Sequence, residues 1–122
     1  MTNTNWINHY ITEYSRDMER MKYLFYVLCN CPKSVFKQAL ICFCKNNTSY
    51  NDFASLPLDA TSKSWSGSEI PLINSELDFL EELKQELRGI DFIEHRAHIS
   101  SEIQSLRAYK SRIEAEDFIE RL

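Results

Sequence analysis

The residues best suited to chemistry are few. Four cysteines fall in two close pairs, Cys29-x-Cys31 and Cys42-x-Cys44. Four thiolates make a tetrahedral zinc donor set, so Cys29, Cys31, Cys42 and Cys44 could define a Cys-coordinated structural zinc domain. The spacing points elsewhere. Residues i and i+2 of a regular helix project about 200° apart, which keeps Cys42 and Cys44 from facing one ion. The preferred reading is reduced cysteines packed as small hydrophobes, with no metal and no cofactor. A second constellation is Asp91, His95, His98 and Glu102, at spacings of four, three and four. These share one helical flank, where a metal would need both imidazoles to converge. A helical projection sets His95 against the apolar stripe and His98 further out. The expectation is one buried, hydrogen-bonded histidine and one exposed one.

Arg88 and His95, with six residues between them, carry a further alternative. Their spacing resembles the Arg-x(4–6)-His pattern of HEPN ribonucleases, small helical bundles that pair their active sites across a dimer. That resemblance implies a ribonuclease or toxin with Arg88 and His95 in the catalytic roles. The sequence departs from the family in that Gly89 follows the arginine directly and reads as a helix end. No Gly-rich phosphate loop, nucleophile elbow or HExxH motif is present. The expectation from these residues is a protein that is not an enzyme.

The elements that would position these residues read as helices. Only 2 Gly and 3 Pro occur in 122 residues, too few turn formers for a sandwich or barrel. Ile7, Ile11, Tyr14, Met18, Met21, Phe25 and Leu28 alternate spacings of four and three, which predicts one helix over about 5–30. Pro32 ends it and suits the start of a second helix over 33–45, with Val35, Phe36, Ala39, Leu40 and Phe43 inward. A connector over 46–71 breaks the periodicity, with Phe53, Leu56, Leu58 and Trp65 as apolar anchors. Pro71, a Ser75/Asp78 capping box and the line Leu77, Leu80, Leu83, Leu87 predict a third helix over about 73–88. Gly89 is placed as its C′ residue. Phe92, Ile99, Ile103, Leu106 and Ile113 form the stripe of a fourth helix over about 91–121. The fold expected is all-α: a small four-helix bundle of two αα-hairpins in a single helical domain spanning 1–122. The two long helices are expected side by side, with the short ones stacked against them.

Composition limits the function classes. The formal net charge is −4, with the acidic side chains concentrated in the second half, so nucleic acid is not an expected partner. The start is polar without a basic region, and the apolar run Tyr23 to Cys29 is far too short to span a bilayer. A cytoplasmic, membrane-free protein is expected.

The fourth helix outruns the third by about half its length, so its last turns need cover from helix one, helix two or another chain. Trp65, Ile113, Phe118, Ile119 and Leu122 are the candidate partner-binding residues. The run Trp65-Ser66-Gly67-Ser68-Glu69-Ile70-Pro71, the Leu-rich helix after it, Phe92-Ile93-Glu94-His95-Arg96 and Ile113-Glu114-Ala115-Glu116-Asp117-Phe118-Ile119-Glu120 resemble the C-terminal helical tails of large bacterial HEAT-repeat or STAND-type proteins, some used in phage defence. That resemblance implies an interaction role in a bacterium or its phage. The function expected is a non-enzymatic helical protein-interaction module, an accessory or regulatory subunit of such a system, that binds another protein or itself as a homo-oligomer.

Overall fold

The structure is a computed structural model, and it describes residues 5–57 and 70–122. Trp65 and Leu58 lie outside the described residues. Among those described, every regular element is helical: α1 (Asn5–Tyr14), α2 (Met18–Leu28), α3 (Lys33–Asn46), α4 (Tyr50–Ala54), α5 (Ile70–Glu86), a short 3-10 turn (Ile90–Phe92) and α6 (Ile93–Glu120).

The all-α class is as expected, but the four-helix outline is not. The predicted first helix is two helices, broken at Ser15–Asp17. Asp17 is extended at φ −93° and ψ 91°, and its carboxylate accepts from the Arg20 amide, so it caps α2. The apolar seam survives the break. Ile7, Ile11, Met21, Phe25 and Leu28 are all buried, while Tyr14 and Met18 are half-buried. Burial explains the seam and the cap explains the break, two signals that act independently.

Asn47 ties this break to the rest of the chain. Its side-chain amide donates to the Ser15 carbonyl at 3.0 Å and to Asp52 at 2.8 Å, and its oxygen accepts from the Ser49 amide at 3.0 Å. A carbonyl freed where α1 stops is thereby satisfied by the turn that starts α4. Helix α4 itself falls inside the stretch read as a connector. Ser49 caps it by accepting from Asp52, and Phe53 and Leu56 dock into the core.

Helix α5 starts at Ile70, earlier than expected, with Pro71 in its first turn. Ser75 is therefore a helix-interior residue and not a cap. Helix α5 packs along α6, α3 packs along α1 more than on α2, and α3 also meets α5. The side-by-side arrangement of the two long helices is corrected by this. Helix α6 rests on α5 and α4, and among the described residues neither α1 nor α2 packs on it to a comparable extent. The main core gathers Phe25, Phe36, Phe43, Phe53, Phe79, Leu83 and Ile99; a smaller cluster, Ile73, Leu106 and Ile113, belongs to the α5–α6 hairpin alone.

Candidate functional site

The cysteines do not assemble. All four are free thiols, and among the described residues no three Cys, His, Asp or Glu side chains converge on a point that could hold a metal ion. The zinc alternative at Cys29, Cys31, Cys42 and Cys44 is corrected accordingly. The Cys29 thiol donates back to the Phe25 carbonyl at 3.1 Å. Cys44 is buried in the core, and burial pushes its thiol up to about 12, so it stays protonated and packs as a hydrophobe. Cys42 lines a shallow groove of about 350 Å³ beside α1 and α3, with Asn8, Gln38, Ile41, Lys45 and Asn46.

The histidine flank is built differently from the expectation. His95 is 1% exposed, and neither ring nitrogen has a hydrogen-bond partner among the described residues. Phe53 lies 4.8 Å from it centroid to centroid, Phe92 5.1 Å and Tyr50 5.7 Å, so α4 and the 3-10 turn close an aromatic cage over α6. The buried histidine is thus unpartnered instead of hydrogen-bonded. Burial pulls its pKa down; Glu94 works against that shift, and His98 and Arg96 add to it. His98 is half-buried, and its Nδ1 lies 3.1 Å from the Tyr50 hydroxyl. Asp91 is exposed on the 3-10 turn.

Arg88 and His95 are placed in unlike settings. Arg88, just past the end of α5, is exposed and donates from Nε to the Gln85 carbonyl at 2.9 Å, back onto the last turn of that helix. His95 is sealed from solvent. A general base must reach the proton it removes, and in this structure the exposed Arg88 and the buried His95 ring do not share an open surface. Arg96 turns to the hairpin instead, donating to the Leu87 and Gly89 carbonyls, each at 2.8 Å, which closes the C-terminal end of α5.

The far end of α6 is the remaining site. Helix α6 has 28 residues and α5 has 17, or about 42 Å against about 26 Å at the standard rise. Ile113 is covered, in contact with the start of α5 through the Ile73 cluster. That takes Ile113 out of the bare overhang. Residues 114–122 are all exposed, and Phe118, Ile119 and Leu122 are 64%, 66% and 90% exposed. At about 100° per residue these three lie roughly 140–240° around the helix from Ile113. The apolar side of α6 has therefore changed faces, and a longer α5 would not cover it. On the inner face, past Ile113, come Glu116, Asp117 and Glu120 instead.

No protein-family description, curated protein or solved structure matches this chain. The class the structure defines is an all-helical protein. No helix among the described residues is long and apolar enough to cross a membrane.

Proposed function

We propose that this chain is a non-enzymatic helical interaction module that works by burying the apolar end of α6 on a partner chain, either another protein or a second copy of itself. One observation carries the reading: Phe118 and Ile119 on the last turn of α6, and Leu122 just past its end, are exposed together where their own hairpin does not cover them. Single exposed hydrophobes are ordinary, but a cluster on the terminal turns of the longest helix is what a docking anchor requires. Each such side chain contributes about 1.5–3 kcal/mol when fully buried. Association itself costs about 4–15 kcal/mol, so these three residues act as anchors of a larger contact. The resemblance of residues 64–122 to tails of bacterial defence-associated proteins supports an accessory or regulatory setting in a bacterial or phage cytoplasm.

The test compares capture by the tagged native chain with capture by Phe118→Glu, using Arg112→Ala on a neighbouring exposed position as control. The expected result is a defined partner held by the native chain and by the control and lost with Phe118→Glu. Equal capture by all three would remove the α6 end from the interaction.

A further inference from the structure

The outer face of α6 carries a repeat that the bundle does not use. Ala97, Ser101, Gln104, Ala108, Ser111, Ala115, Phe118 and Leu122 follow one another at spacings of four and three, and all are exposed. This is a complete heptad seam without a single charge, running opposite the buried stripe Ile99, Ile103, Leu106 and Ile113. It ends in the two large anchors Phe118, in the last turn of α6, and Leu122, two residues past its end, and begins beside exposed Ile93.

We propose that the occupant of this face is a second copy of the chain, with the two α6 helices packed antiparallel about a two-fold axis. This rests on the interaction reading above and names its partner. The seam is self-complementary in one register. Ala97 then faces Leu122 of the second copy, Ser101 faces Phe118, Gln104 faces Ala115 and Ala108 faces Ser111, so each large residue meets a small one. A C2 interface requires that kind of match, because each contact occurs twice. Small residues along the middle also let the two axes approach closely.

The flanking charges select the direction. In the antiparallel register Arg107 of each copy lies beside Glu114 of the other, giving two ion pairs by symmetry. A parallel register would set Arg107 beside Arg112 of the other copy and stack Phe118 on Phe118, leaving only small residues elsewhere. Arg107 already pairs with Glu81 at 2.8 Å yet is 62% exposed, and a guanidinium has donors for both carboxylates.

Sedimentation equilibrium on the full chain across the micromolar range tests this, with circular dichroism as the folding control. The native chain is expected as a dimer. Ala108→Glu puts a carboxylate at the centre of the seam, on a residue exposed in the single chain, and is expected to give a folded monomer. Arg107→Glu is expected to weaken the dimer about tenfold, and adding Glu114→Arg to restore it. A native chain that stays monomeric, a dimer indifferent to Ala108→Glu, or a dimer tightened by Arg107→Glu would each overturn the proposal. A native monomer that still captures a different protein through Phe118 sinks the dimer and leaves the interaction module standing. A native monomer with no Phe118-dependent capture removes both.

Discussion

Protonating His95 would place a cation inside a cage of Phe53, Phe92 and Tyr50 with no acceptor bonded to either ring nitrogen among the described residues. The unfolded chain takes up that proton near the ordinary value of 6.5, and the folded chain only at lower pH. The folded state thus binds fewer protons in that window, and its stability falls as the pH drops through the ordinary histidine value. Above it the neutral ring contributes its full packing. Replacing the imidazole by a ring without polar atoms removes both the acid sensitivity and two unsatisfied nitrogens. His95→Phe is therefore expected to raise stability by about 1–3 kcal/mol at neutral pH and to flatten the acid side of the profile. Urea unfolding of both chains between about pH 5 and about pH 8 measures it, and an unchanged acid slope would show that other groups set it. The sequence placed His95 correctly beside the apolar stripe. It could not supply the cage, because Tyr50 and Phe53 arrive from a helix more than forty residues away in the chain.

At the scale of elements, the parts with a local cause were legible and those with a distant cause were not. Periodic burial gave α3, α5, α6 and both faces of the first segment. The break at Asp17 was hidden because the four-three seam runs through it without a slip, and the cap there is only a single Asp. Helix α4 was hidden because it has one turn and a half, too short for a periodic pattern, and is held by Asn47 and by the cage. Gly89 shows how a correct residue can have a different role. It was expected to close α5, but α5 ends at Glu86, and Gly89 sits at φ 105° and ψ 170° ahead of the 3-10 turn. A Cβ there would meet nothing within 4 Å, so space is not the constraint. The dihedrals alone are, since that region is essentially restricted to glycine. Gly89→Ala is expected to cost about 1–3 kcal/mol through backbone strain, read as a lower urea midpoint with an unchanged slope. A neutral substitution would mean the hairpin turn relaxes to a different conformation.

For the molecule as a whole, burial divides α6 into a part that holds the fold and a part that does not. Every buried position of α6 lies between His95 and Ile113, and residues 114–122 bury nothing among the described residues. Among the described residues, the last turns are joined to the rest by helix continuity and by the surface pair Lys110–Glu114 at 3.8 Å, while Arg121–Asp117 at 3.1 Å lies within them. Pairs of that kind contribute a few tenths of a kcal/mol each. Removing residues 114–122 is then expected to change unfolding free energy by less than about 1 kcal/mol. Thermal unfolding followed by circular dichroism reads that change. The same deletion removes Ala115, Phe118 and Leu122 from the outer seam, and with them the large side chains at both ends of an antiparallel pair. Self-association should therefore be lost while the fold is kept. A deletion that unfolds the chain would place these turns in the core, because only buried contacts could account for so large a loss.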